Sequence, residues 1–180
     1  MLSKKFPFLF LDRDGVINER LPGQYVSTIE DFAFMPGVLK AFPRLSKLTS
    51  RIIIVTNQQG VGKELMTYDD LDIVHDYMQA EIEKVGGRID AIFTCTELAT
   101  DKNNCRKPSP AMGMWAKQKF PEIDFSKALM VGDSASDILF GQNLGTKTML
   151  MEGKAEDKES LSRLSPDYSI KNFANIVNVL

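Results

Sequence analysis

Four short segments of the chain carry acids, amides and cations of the kinds that act together on a phosphoryl group. In the first, an apolar run, Phe-Leu-Phe-Leu, ends at Asp12 and Asp14, with Gly15 directly behind them. Side chains alternate along an extended strand, so this spacing lets Asp12 and Asp14 enter one site while Arg13 points away. Gly15 permits a sharp change of direction and close approach of a ligand to the main chain. The run Arg-Ile-Ile-Ile-Val ends in Thr56 and Asn57, a hydroxyl and an amide that can both donate to an anionic oxygen. Arg106-Lys107-Pro108 sets two fixed cations beside the start of a predicted helix, whose N-terminus also favours anions. In Val-Gly-Asp-Ser-Ala-Ser-Asp, Asp133 ends a strand and Asp137 follows one helical turn later on the same face. Each segment alone has an ordinary reading, as a solvated turn, a basic loop or a complement to a helix dipole. As a set they suit phosphoryl transfer. A phosphate near such acids would be repelled by about 4 kcal/mol for two unit charges about 4 Å apart at an effective dielectric near 20. A cation must therefore intervene, and hard oxygen ligands suit Mg²⁺. A carboxylate nucleophile could then give an aspartyl-phosphate, dividing one difficult hydrolysis into two easier steps.

The elements that must position these residues alternate in type. Apolar, β-branched runs predict strands over 6–12, 51–56, 89–95, 128–133 and 147–151, with a weaker one over 168–170. Helical periodicity predicts helices over 36–48, where Pro43 should kink or split the helix, and over 67–85, where Thr67 and Asp70 form a capping box and Gly86-Gly87 stops the chain. Further helices are predicted from Ser109 as N-cap to Phe120, from just after Asp133 to Gly145, and over 172–180. Residues 152–165 are charged and read as a loop with a helical turn. Strands alternating with helices imply an α/β fold, a three-layer α/β/α sandwich on a mainly parallel sheet. Ligands bind such sheets at the carboxyl ends of their strands, where all four segments fall.

The length of 180 residues, 43% of them hydrophobic and 26% charged, predicts one domain over 1–180. A formal charge of -2 offers no basic field for nucleic acid or an anionic membrane. The early apolar run is too short for a signal-peptide core and no segment approaches a membrane span, so a cytoplasmic protein with a small partner is expected. Cys95 and Cys105 are too few for a disulfide framework and are expected to be thiols unless a metal holds them. Nothing fixes the oligomeric state; a monomer is the working expectation.

The ordered set FLDRDGVIN, VTNQ, RKPSP and VGDSASD resembles the haloacid dehalogenase (HAD) superfamily of phosphatases, over about residues 6–151. Within it the sequence is most similar to the D-glycero-D-manno-heptose 1,7-bisphosphate and histidinol-phosphate phosphatases. The resemblance implies a Rossmann-like HAD fold and a Mg²⁺-dependent phosphomonoesterase acting on a small phosphorylated metabolite. It makes Asp12 the nucleophile and Asp14 the general acid and base. Thr56 and Lys107 would stabilise the transferring group, and Asn57, Gln58, Gln59 and Arg106 would contact substrate. Asp12, the carbonyl of Asp14 and Asp133 would hold the metal, with Asp137 supporting them. The implied substrate is the heptose bisphosphate, losing its 7-phosphate; histidinol phosphate is the alternative. A receiver-like phospho-aspartate switch is a further alternative, disfavoured by chain length and by the position of Asp14.

Members of the superfamily often carry a cap, but the predicted elements fill both intervals where one could be inserted, so no large cap domain is expected. Selectivity then falls to residues 19–31, where Arg20, Gln24, Tyr25 and Ser27 could touch substrate, and to residues 96–106. Relatives often have a zinc loop, Cys-x-His then Cys-x-Cys before Arg-Lys-Pro. Here Glu97 and Asn103 stand at two of its four positions, so zinc is not expected. His75, the only histidine, has no nucleophile motif beside it and reads as structural or surface. Gly60-Val-Gly-Lys63 fails as a P-loop, with Asn57 and Glu64 at required positions. Met112, Met114 and Trp115 have helical spacing and read as core.

Overall fold

A computed structural model describes residues 5–153 and 158–180. Its strands are β1 (Phe8–Leu11), β2 (Arg51–Asn57), β3 (Ala91–Cys95), β4 (Ala128–Gly132), β5 (Lys147–Met151) and β6 (Tyr168–Ile170). They form one six-stranded sheet in the order β3-β2-β1-β4-β5-β6, with every neighbouring pair parallel. The helices are α1 (Val38–Leu48), α2 (Gln59–Gly62), α3 (Tyr68–Lys84), α4 (Ala111–Lys119), α5 (Ala135–Leu144) and α6 (Lys158–Ser162). Short 3₁₀ turns lie at Phe125–Lys127 and Phe173–Asn178.

The apolar strands are explained by burial on both faces, as parallel sheets require. Alternate residues of β1 go to opposite layers. Leu9 and Leu11 join Ile52, Ile54 and the buried faces of α1 and α3, whereas Phe8 and Phe10 join Ile53, Val55 and residues of α4 and α5. Because β2 and β4 flank β1 on opposite sides, the end of β1 is the point where strand order reverses, and a crevice opens there. The Thr67–Asp70 capping box opens α3 as expected, and Gly145 closes α5 in the left-handed conformation. Among the described residues, α1 and a loop lie between β1 and β2, and α2 and α3 between β2 and β3.

Several expectations are corrected. Helix α1 is not split at Pro43 but runs unbroken from Val38 to Leu48, with Val38, Ala41, Phe42 and Leu45 packed into the core on both sides of the proline. Helix α4 starts one residue late: Pro110 is its N-cap, since the Ser109 N–H is used in a turn with the Arg106 carbonyl. Of the Met112, Met114 and Trp115 group only Met112 is core; Met114 and Trp115 are exposed, because α4 buries a single face against the sheet. Part of the charged region expected as loop, 154–157, lies outside the described residues; its helical turn is α6. Cys95 and Cys105, expected as thiols, are joined in a disulfide, because the loop leaving β3 folds back until their Cα atoms are 5.6 Å apart. Two of the thiolates a zinc ion would need are thereby bonded to each other. The loop is drawn in further by Glu97, whose Oε2 accepts from the Cys105 N–H at 2.6 Å.

Candidate active site

The ends of β1, β2 and β4 and the entry to α4 converge on Lys107. Its ammonium is buried, forms ion pairs with Asp12 Oδ1 at 2.8 Å and Asp137 Oδ1 at 2.5 Å, and donates to the Val55 carbonyl at 2.9 Å. Burial alone would lower the lysine's pKa, but Asp12 and Asp137 outweigh it and hold the group above its ordinary value. Asp12 continues the β1 ladder by donating its N–H to the Val131 carbonyl. Burial, with Asp137 adding to it and Lys107 opposing, pushes the Asp12 carboxyl up to about 6. Asp137 is held by the α5 capping box, its Oδ2 accepting from the Ser134 N–H at 3.1 Å and hydroxyl at 2.5 Å. Gly132 makes this fit possible, since a Cβ there would lie 2.0 Å from the Asp137 Cβ.

Past Asp12 the chain leaves the strand, and the Arg13 carbonyl accepts from the N–H groups of Ile17 and Asn18. That turn corrects the expectation that Arg13 points away. Its side chain is fully buried and folds back onto Asp14, with Nη2 donating to Oδ1 at 3.0 Å and to Oδ2 at 3.1 Å. Asn18 and Gln58 add bonds to Oδ1 at 2.9 Å and Oδ2 at 2.6 Å. Burial would raise the Asp14 pKa, but Arg13, Asn18 and Gln58 hold it below the usual carboxylate value. Gly15 has φ +88°, and a Cβ on it would sit 2.0 Å from Asp133 Oδ2. Backbone and carboxylate can meet there only without a side chain.

Single carboxylate oxygens of Asp12, Asp133 and Asp137 gather within 4.8 Å of one another. Burial and the Asp12 charge push Asp133 up to about 8, against the pull of Arg20. The Arg20 guanidinium donates to Asp133 Oδ1 at 2.8 Å and reaches the Asp14 carbonyl at 3.5 Å, so the oxygens already attract a cation. Hard oxygen donors, a raised pair of carboxyls and a glycine cradle fit a divalent ion held by Asp12, Asp133 and the Asp14 carbonyl.

The remaining expected residues divide. Thr56 is buried, with its Oγ1 accepting from Gln58 Nε2 at 2.9 Å. Asn57 holds the Lys107 backbone, its Oδ1 accepting the Lys107 N–H at 2.9 Å, and Gln58 is buried behind Asp14. Gln59 accepts from the Ala99 N–H at 3.2 Å and so ties down the third-segment loop. A cavity of about 400 Å³ opens from the site, lined by Asp14, Arg20, Tyr25, Asn57, Gln59, Lys63 and Arg106 among others. Lys63 and Leu65, just after α2, also line it, although Gly60-Val-Gly-Lys63 carries no phosphate-binding pattern. His75 is expected as structural or surface. It is buried with Nε2 3.2 Å from Arg13 Nη1, and no local motif marks a contact between residues this far apart in sequence.

A HAD-hydrolase-like family model matches residues 104–176. A curated relative from Mycobacterium bovis is 36% identical over 136 residues, covering 76% of this chain and 72% of its own. The chain belongs to the HAD-like hydrolases, as a phosphatase of phosphoric monoesters. The Mycobacterium relative is named D-glycero-alpha-D-manno-heptose-1,7-bisphosphate 7-phosphatase. One from Helicobacter pylori strain J99, 33% identical over 144 residues and covering 79% of this chain and 81% of its own, carries the beta-anomer name. Among solved structures, the D,D-heptose 1,7-bisphosphate phosphatase of B. bronchiseptica, complexed with magnesium and phosphate, is similar with a TM-score of 0.86. It shares 28% identity, over 96% of this chain and 97% of that one.

Proposed function

We propose that this phosphatase removes the 7-phosphate of D-glycero-D-manno-heptose 1,7-bisphosphate through an aspartyl-phosphate on Asp12, within a single domain spanning the chain. The arrangement of Asp12, Lys107 and Asp137 carries the reading. Asp12 Oδ1 is taken by the Lys107 ammonium and by the Arg13 N–H at 2.8 Å, which leaves Oδ2 to attack phosphorus. Lys107, fixed by Asp137 and the Val55 carbonyl, faces the charge that builds on the transferring group. Asp14 lines the cavity into which the leaving group would extend; ionised as its partners hold it, it would take a proton from water, and it would serve the departing oxygen only from its protonated form. When bound at Asp12, Asp133 and the Asp14 carbonyl, Mg²⁺ supplies positive charge that offsets the phosphate and the acids. Arg106, Gln59 and Lys63 line the same cavity and would meet the sugar and its second phosphate.

The reported relatives favour the heptose over histidinol phosphate, and they carry both anomer names. The test is phosphate release from both heptose anomers, histidinol phosphate and p-nitrophenyl phosphate, with Mg²⁺ and with chelator. Faster turnover of a heptose bisphosphate than of histidinol phosphate is expected. The reverse order would overturn the substrate assignment, and a stable phospho-Asp12 without turnover would overturn the mechanism.

A further inference from the structure

We propose that Arg13 and His75 form a positioning relay that fixes the plane of the Asp14 carboxylate, so that helix α3 aims the group exchanging a proton with the leaving oxygen. This rests on the reading of Asp14 as general acid. Asn18 and Gln58 each hold one carboxylate oxygen through a single-point contact, at 2.9 and 2.6 Å. Arg13 spans both oxygens, with Nη2 at 3.0 and 3.1 Å and Nε at 3.4 Å from Oδ1, so its planar fork sets the carboxylate plane. The fork needs an anchor of its own, and His75 provides it at Nη1, 3.2 Å away. Arginine can only donate, so His75 Nε2 accepts and the imidazole is neutral with its proton on Nδ1.

The helix pattern strengthens the case. His75 lies on the buried face of α3 with Leu71, Val74, Met78 and Ile82, where an apolar side chain would fill the space without desolvating an imidazole and a guanidinium. The capping box at Thr67 and Asp70 holds the start of this helix, which makes it a firm base. Asp14 keeps part of its carboxyl open to the cavity, so an error in its plane is an error in where the proton is delivered.

Because kcat/KM reports the steps through leaving-group departure, it is compared for a sugar monophosphate, whose alkoxide needs a proton, and p-nitrophenyl phosphate, whose phenolate does not. Variants are His75→Leu, His75→Gln, which keeps an acceptor at the Nε2 position, Arg13→Lys, which keeps charge without the fork, and Asp14→Asn. His75→Leu and Arg13→Lys are expected to lower kcat/KM on the sugar phosphate by ~10- to 100-fold while changing p-nitrophenyl phosphate by no more than about threefold; His75→Gln restores most of the loss. Equal losses on both substrates, or His75→Gln no better than His75→Leu, would overturn the relay while Asp14→Asn still shows the leaving-group dependence. If Asp14→Asn shows none, the general-acid reading fails and the relay falls with it. Should His75→Leu not fold, Arg13→Lys against Asp14→Asn decides by the same comparison.

Discussion

Lowering the pH should destabilise the protein through His75, by an amount that follows from its surroundings. Burial, and then the neighbouring Arg13 charge, push the imidazole down to about 3 from an ordinary 6.5, with Asp14 pulling weakly the other way. With Nη1 3.2 Å from Nε2, a protonated imidazole would face the Arg13 charge directly, which adds to the cost of burial. The folded state therefore stays neutral where the unfolded chain takes up a proton. As pH falls through 6.5, stability drops by about 1.4 kcal/mol per unit, and the drop ends only near the folded value of about 3. Between about pH 7 and pH 4.5 the loss from this one group is about 2 to 3 kcal/mol. His75→Gln lacks the titration but keeps an acceptor for Arg13, so other titrating groups largely cancel when the two proteins are compared. Urea unfolding followed by circular dichroism, in steps of about half a pH unit, should show the wild type losing about 2 to 3 kcal/mol relative to the variant over that range. Parallel curves would mean that His75 protonates without cost in the native state, and that its Nε2 does not accept from Arg13.

Lys107→Met should abolish turnover and cost about 3 to 5 kcal/mol of stability in denaturant titrations at neutral pH, since Asp12 and Asp137 would be left buried without their shared cation. Gly15→Ala should keep the circular dichroism spectrum but weaken Mg²⁺ binding by about tenfold or more in calorimetry, because the added Cβ meets the Asp133 carboxylate at 2.0 Å. Breaking the Cys95–Cys105 bond, by reductant or Cys105→Ser, should loosen the loop leading to Arg106. A rise in KM by about threefold to tenfold with kcat little changed is expected in steady-state assays, if Arg106 binds substrate.

The sheet was legible because parallel strands buried on both faces read as continuous apolar runs, and the four segments at their ends were legible because each is local in sequence. What could not be read was how side chains behave once the chain leaves a strand. Alternation put Arg13 outside, yet the turn after Asp12 carries it inward to Asp14. Asn57 and Gln58 look like substrate donors by chemistry, and the structure adds what the motif does not carry: Gln58 is buried behind Asp14 and Asn57 bonds the Lys107 backbone. His75 needed a contact across 62 residues, and the disulfide a loop closed by packing, neither of which leaves a periodic trace.

The charges around the crevice explain why a divalent ion and this reaction belong together. Four carboxylates, Asp12, Asp14, Asp133 and Asp137, face three cations, Arg13, Arg20 and Lys107, paired as Arg13 with Asp14, Arg20 with Asp133, and Lys107 with both others. One negative charge is left over. It falls on the lysine's shared partners and on Asp133, which is why burial and mutual repulsion lift Asp12 to about 6 and Asp133 to about 8 instead of leaving both low. A protonated Asp12 is no nucleophile, and an ionised one without added charge repels a phosphate dianion. A divalent cation at Asp12 and Asp133 changes the sum from minus one to plus one, favouring ionised Asp12 and the incoming phosphate at once. Apparent Mg²⁺ affinity should accordingly rise with pH between about 6 and 8, with proton release on binding, and a calorimetric signal independent of buffer ionisation enthalpy would contradict that coupling.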